Sequence, residues 1–297
     1  MASRNCPAST VSLLIALAIV SSASPAVHRH AMPEPATAPA AATQPTLNFE
    51  LERGHLIVVR GTIGGAAVKL LLDTGTYRTV IDSRIAGDWP GTPDRMDVFG
   101  QIVPTRRVNL PSLQLGPLHV AGLQVLAADM WGLRERLGTQ ADGIVGLDVL
   151  RGRCLIVDYA TKRLSFACAS AWTASVAGVA DSPYVVAVAT IDAREYRLLV
   201  DSGSDAIAIF ERLAGPHLAR GHEGEVRADT LVGTVRLRRF VAASVRLGAI
   251  SLGSQPVLVI PGGDAESHPG FDGVLGLRHV APRVQLDLER MAISWNR

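Results

Sequence analysis

Two seven-residue stretches hold residue types from which acid-base chemistry is built. Leu70-Leu71-Leu72-Asp73-Thr74-Gly75-Thr76 is matched by Leu198-Leu199-Val200-Asp201-Ser202-Gly203-Ser204. Each reads as an apolar strand running into a tight turn. A second apolar run follows, Val80-Ile81 in one copy and Ala206-Ile207-Ala208-Ile209 in the other. The buried strand fixes the Asp backbone, and Gly75 or Gly203 supplies backbone freedom. The hydroxyls of Thr74, Thr76, Ser202 and Ser204 can hydrogen-bond a carboxylate or the amides of the turn. One Asp-Ser-Gly is also what an ordinary capping turn looks like, so it is the pairing that points to chemistry.

Two carboxylates about 3 Å apart repel by roughly 5 kcal/mol at an effective dielectric near 20, or about 4 pKa units. Such a pair holds one proton between its members. The ionised member can take a proton from a water between them while the protonated member donates to a carbonyl oxygen. That is general acid-base hydrolysis without a covalent intermediate, metal or cofactor.

The paired motif resembles the aspartic proteases of the pepsin and retropepsin type, whose two site halves each carry apolar-apolar-Asp-Thr/Ser-Gly-Thr/Ser/Ala. The resemblance covers roughly residues 50 to 297. It implies an aspartic-type endopeptidase with Asp73 and Asp201 catalytic, Thr74, Gly75, Thr76, Ser202, Gly203 and Ser204 supporting them, a peptide or protein substrate, and no cofactor. A non-catalytic peptide-binding or regulatory protein on the same scaffold is the alternative. A site shared between two chains is a third arrangement, and the presence of both turns in one chain speaks against it.

Something must carry the two turns to one place, and the chain's internal repeat supplies it. Thr62-Ile63 and Thr190-Ile191 lie 128 positions apart, as Asp73 and Asp201 do. Asp142-Gly143-Ile144-Val145-Gly146-Leu147 and Asp272-Gly273-Val274-Leu275-Gly276-Leu277 lie 130 apart, and Asp158 and Asp287 lie 129 apart. Two units in such register predict similar lobes about an approximate twofold axis. The expected fold is mainly β and bilobal, an acid-protease-like pair of β-barrel lobes with few short helices. The lobes are expected over 46–174 and 175–297, within a monomer whose halves form a pseudo-dimer.

Strands are predicted over Leu56–Arg60, Ala67–Leu72, Thr79–Ile81, Tyr184–Ala189, Arg197–Val200 and Ala206–Phe210, with short helices after Asp82-Ser83 and Gly146. The Asp-Gly-apolar-apolar-Gly repeats resemble the element that passes beneath the catalytic turn in aspartic proteases, their glycines allowing close backbone approach. Asp142 and Asp272 read as turn or cap residues. By the resemblance, a hairpin closing over the cleft falls at Val98-Phe99-Gly100-Gln101-Ile102, with Thr230-Leu231-Val232-Gly233-Thr234 as its counterpart. Neither window holds a Tyr of the pepsin kind. Tyr77 reads as packing.

The remaining signals bound the setting. The 297 residues are 48% hydrophobic, enough for one or two globular domains with real cores. A formal charge of +2 and an isolated Arg236, Arg238, Arg239 run without stacking aromatics argue against a nucleic-acid partner. Lys69 and Lys162 are the only lysines among 29 Lys plus Arg, a skew that suggests a bacterial genome of high GC content.

Arg4, the apolar run Val11 to Val20 and the small residues up to Ala26 read as a secretory signal over 1–26, with an uncleaved anchor as the alternative. Residues 27–45 read as a disordered Pro/Ala-rich linker. The expected location is therefore periplasmic or secreted, with no membrane partner after cleavage. Cys154 and Cys168 end two strands joined by Asp158 to Arg163, and folding that hairpin brings them nearly opposite, so a disulfide is predicted. His217 and His222 beside Glu223 lack a third ligand and read as a solvated loop, so no metal is expected.

Overall fold

The computed structural model describes residues 10–12, 46–98, 101–179, 182–215, 224–230, 233–261 and 270–296. The expected signal and linker lie outside the described residues except for Thr10–Ser12, which runs parallel to the strand Gly224–Asp229. Phe99, Gly100, Leu231 and Val232 of the hairpin windows also lie outside, as do His217, His222 and Glu223. Of the described residues, 58% are strand and 8% helix, in two similar lobes.

In each lobe a two-residue hairpin leads into the Asp turn. Leu56–Ile63 pairs with Ala66–Leu72 across Gly64-Gly65, both at positive φ, as a twisted hairpin turn demands. Val186–Ile191 pairs with Arg194–Asp201 across Asp192-Ala193, also at positive φ although neither is glycine. Asp192 offsets that cost by binding Ser244: its Oδ1 accepts from Ser244 N–H at 2.9 Å, and its own N–H donates to Ser244 O at 3.0 Å.

The strand Ala66–Leu72 reads as a continuous apolar run because both of its faces are covered. Leu70 and Leu72 join a core cluster that runs through both lobes, whereas Leu71 joins a smaller one with Val80, Met96, Leu126 and Leu133.

In the second lobe six strands close into a barrel. The 14-residue strand Thr234–Leu247 pairs with both Val186–Ile191 and Ile250–Ile260, bending at an irregularity between Ala242 and Val245. The first lobe covers the same path with two strands, Gln101–Asn109 and Ser112–Leu115, divided at Leu110-Pro111. Proline lacks the N–H that a continuous ladder needs.

The lobes share a sheet. Thr46–Glu52, Arg163–Ser165 and Cys154–Asp158 come from the first half, and Arg283–Asp287, Ala292–Trp295 and Ala174–Ala177 complete it. At its centre Ile156 stands opposite Gln285, two residues 129 positions apart, the same spacing that relates Asp158 to Asp287. The pseudo-twofold axis therefore passes through this pair, and the 174/175 boundary falls inside the shared sheet. Cys154 and Cys168 form the predicted disulfide with Cα atoms 5.0 Å apart.

Both predicted helices are present: Ser83–Ala86, whose first turn is capped by Asp82 Oδ1 accepting from Arg84 N–H at 2.9 Å, and Leu147–Leu150. A third, Trp131–Leu137, is too short to show a clear apolar period in sequence. No helix among the described residues is long and apolar enough to cross a membrane.

Candidate functional site

The two Asp turns are held from below by the inserted glycine strands. Gly143–Val145 lies between Ala66–Leu72 and Val80–Asp82, and Gly273–Gly276 lies between Arg194–Asp201 and Ile207–Phe210. Asp73 N–H donates to Val145 O at 3.0 Å, tying the first turn to its support. A Cβ on Gly146 would sit 2.9 Å from Thr76 O, and one on Gly276 would sit 2.6 Å from Ser204 O, so the close approach excludes any other residue. Asp142 and Asp272 stay out of the site. Asp142 Oδ2 accepts from Lys69 N–H at 2.9 Å, and Asp272 Oδ2 accepts from Arg197 N–H at 2.8 Å, which makes both of them turn residues.

Thr74 and Ser202 lock the turns together across the lobe boundary. Thr74 N–H donates to Ser202 Oγ at 3.0 Å, and Ser202 N–H donates to Thr74 Oγ1 at 3.0 Å. Each hydroxyl then donates onward, Thr74 Oγ1 to Val200 O and Ser202 Oγ to Leu72 O, both at 2.9 Å. All four bonds are buried, where leaving one group unpaired costs about 1–3 kcal/mol.

This lock brings the carboxyls into contact. A Cβ on Gly75 would stand 2.6 Å from Asp201 Cγ, and one on Gly203 would stand 3.0 Å from Asp73 Cγ, so each turn's glycine lies against the opposite carboxyl. Asp73 and Asp201 are within hydrogen-bond reach of each other, and both are 0% exposed.

The donors are unequal. Asp73 Oδ1 accepts from Gly75 N–H at 2.8 Å, and its Oδ2 accepts from Thr76 Oγ1 at 2.7 Å. Asp201 Oδ1 accepts from Gly203 N–H at 2.6 Å, but Ser204 turns its hydroxyl to the backbone of Ala206 instead. Burial raises the pKa of both carboxyls above the usual range. Asp73 is held back by the bonds from Asp201, Thr76 and Gly75, whereas the negative charge of Asp73 lifts Asp201 well above it. The arrangement therefore suits an ionised Asp73 beside a protonated Asp201, and such a pair can accept one proton while giving another.

Some supporting residues were not singled out in the sequence. Thr79 N–H and Oγ1 both donate to Asp148, the latter at 2.7 Å, while Gly146 N–H donates to Thr79 Oγ1 at 3.1 Å. Burial raises the Asp148 pKa against these donors. A hydroxyl six residues after Asp73 and an acid two after Gly146 were the available signals. Tyr77 packs edge-on to Tyr184 of the other lobe at 6.1 Å, with the Arg151 guanidinium 5.4 Å over its ring.

Both hairpin windows sit at hairpin connections. Gly91–Val98 pairs with Gln101–Asn109 up to Val98 opposite Gln101, and Gly224–Asp229 pairs with Thr234–Leu247 up to Asp229 opposite Thr234. The second hairpin is tied to the first lobe: Arg53 lies 3.4 Å from Asp229, and Arg136 Nε donates to Thr230 O at 3.3 Å. Among the described residues the one group with metal-ligand spacing is Cys154, Cys168 and Asp287, and its two sulfurs are bonded to each other.

The sequence model of a family described as aspartyl protease matches residues 59–149 and again 187–278. Each match holds one Asp turn and its inserted glycine strand. No curated protein matches the chain.

Proposed function

The chain belongs to the aspartyl protease family, and from its site we infer that it is an exported endopeptidase that cleaves peptide bonds with a water activated by Asp73 and Asp201. The observation that carries this reading is the reciprocal approach of each turn's glycine to the opposite carboxyl. It leaves the two acids no arrangement in which both ionise freely. Asp73 takes the proton of the attacking water, and Asp201 donates its own to the carbonyl oxygen of the scissile bond. Thr76 keeps Asp73 the stronger acid, and the Thr74 and Ser202 lock holds the pair in place. Because both carboxyls are wholly buried, a peptide reaches them only after a rearrangement that exposes them.

Export rests on the N-terminal signal pattern, and Cys154–Cys168 suits an oxidising compartment of a bacterium. The test is single replacement. Asp73→Asn and Asp201→Asn should each lower cleavage of a peptide mixture by about 10²–10⁴-fold, and full activity in either variant would end the two-Asp mechanism.

The complete burial of the pair also favours a second reading, a peptide-binding protein on this scaffold that does no chemistry. A compound mimicking the tetrahedral intermediate separates the two: it should bind the hydrolase far more tightly than a substrate peptide, and a pure binder no better.

A further inference from the structure

We propose that a cavity between the lobes, beside the second Asp turn, recognises a carboxylate of the substrate and so selects which bond is cut. This rests on the hydrolase reading above and adds a substrate class to it. The cavity encloses about 330 Å³ and is lined by Arg53, Gly54 and His55 of the first lobe and by Asp205, Arg278 and His279 of the second.

His55 carries the central observation. It is 2% exposed, and its Nε2 is buried with no hydrogen-bond partner among the described residues, although a buried ring nitrogen normally has one. Its other nitrogen is fixed. Nδ1 lies 3.2 Å from Arg53 O and 3.6 Å from Asp205 Oδ2, two acceptors, so Nδ1 bears the proton. The atom left over is Nε2. When His55 is neutral, Nε2 presents a lone pair; once protonated, it becomes a charge-assisted donor.

The charges around it point to an anion. Arg53 and Arg278 supply two guanidinium groups against the single carboxylate of Asp205. Arg53 is shared with Asp229 at 3.4 Å, whereas Arg278 makes no ion pair with any described residue. His279 Nε2 meets Asp205 O at 2.8 Å and is thereby committed as a donor to the turn. A carboxylate entering the cavity gains the planar fork of Arg278, the geometry for which guanidinium is suited, beside a buried His55 ring that can take up a proton to balance it. Burial lowers the pKa of free His55, with Asp205 opposing that effect, so a bound anion would complete a charge balance that Asp205 begins.

The cavity's place makes this a matter of specificity. Asp205 directly follows the second turn, four residues after Asp201, and buried Tyr159 lies within electrostatic reach of both Arg278 and Asp201. In the other copy the corresponding residue, four after Asp73, is Tyr77, packed on Tyr184. One end of the twofold site is thus aromatic and the other charged. A peptide lying across the two acids meets the carboxylate pocket on one side only, so its acidic group fixes the direction of binding as well as the site of cleavage.

The experiment compares matched peptides. A mixture cleaved by the protein should show Asp or Glu at one fixed distance on one side of the cut bond. Changing that Glu to Gln should lower kcat/KM about tenfold or more, chiefly through KM, as expected for a lost hydrogen bond to a charged group. In Arg278→Gln the Glu-to-Gln ratio should fall to near one, and Arg278→Glu should turn the preference toward Lys or Arg. Sensitivity to C-terminal amidation instead of the Glu change would assign the chain-terminal carboxylate as the source.

Cleavage without any acid preference, or a preference unchanged in both Arg278 variants, overturns the proposal. If wild type cleaves nothing, the hydrolase reading fails. Calorimetric titration of the same peptide pairs then decides the pocket: tighter Glu binding that vanishes in Arg278→Gln supports it, and equal binding of Glu and Gln peptides overturns it.

Discussion

The two Asp turns share a heptapeptide pattern, yet they carry different environments. Residues that meet near the pseudo-twofold axis stay alike: Asp73 and Asp201, Thr74 and Ser202, Gly75 and Gly203 make near-identical contacts with each other. Residues a few positions away diverge. Thr76 donates to Asp73 while Ser204 serves Ala206. Tyr77 makes an aromatic contact, whereas the Asp205 carboxylate lies 3.6 Å from the His55 ring. Asp148 is part-buried against Thr79, and its counterpart 130 positions on, Arg278, lines an open cavity. Duplication builds a symmetric acid pair. Divergence around it gives the two carboxyls unequal donors and makes one end of the site differ from the other.

Four measurements sharpen or break that comparison, beginning with the largest expected effect. Gly75→Ala would place a methyl 2.6 Å from Asp201 Cγ, forcing the acids apart, and should lower kcat by about 10²-fold or more. Gly203→Ala meets Asp73 at 3.0 Å and should cost less. The reverse order would show that the turns are not placed as described.

Thr76→Val removes a hydrogen bond to the ionised acid, a loss of roughly 1.5–3 kcal/mol in transition-state stabilisation, or about tenfold or more in kcat/KM. The Asp73 pKa should rise with it, moving the acid limb of the pH profile to higher pH. Ser204→Ala should leave that limb in place, and equal shifts in both variants would erase the distinction between the turns.

The lock is the symmetric control. Thr74→Val and Ser202→Ala should each cost about 1–3 kcal/mol in urea unfolding, and by similar amounts because their bonds are equivalent. Their double variant should cost less than the sum, since each single change already breaks the shared pair.

The smallest effect concerns stability against pH. Asp201 has a folded pKa well above its unfolded value, so its contribution is fully present below the unfolded pKa and is lost as pH rises through the folded one. Asp201→Asn should therefore raise Tm relative to wild type at neutral pH. The difference should shrink toward zero as pH falls below the ordinary carboxylate value of 3.8. A Tm difference independent of pH would mean that Asp201 is not strained by ionisation.

Much of this was legible before any coordinates. The alternation of apolar runs with Gly-containing turns marked the strands, and the constant offsets of 128 to 130 marked the twofold. Asp142 and Asp272 were readable as turn residues because Asp followed by Gly binds its own neighbourhood. The charged cavity was not, although its signal lay in the repeat itself: Tyr77 against Asp205 and Asp148 against Arg278 are changes of character at matched positions. His55 had no counterpart pattern to expose it, and its neighbours come from three separate segments. Helix Trp131–Leu137 was missed because so short an element leaves little period to detect.

The order of residues by itself determined the two turns, their supporting glycines and the duplication, because these depend on local backbone preference and on apolar patterning within a few positions. Tertiary structure alone decided that Ser204 turns from its carboxyl while Thr76 does not, and that His55 closes a pocket with Arg278. The pocket depends on packing together segments more than a hundred residues apart, and each hydroxyl's choice between partners two or three residues away depends on a side-chain orientation that the packing around the turn selects, neither of which neighbouring sequence encodes.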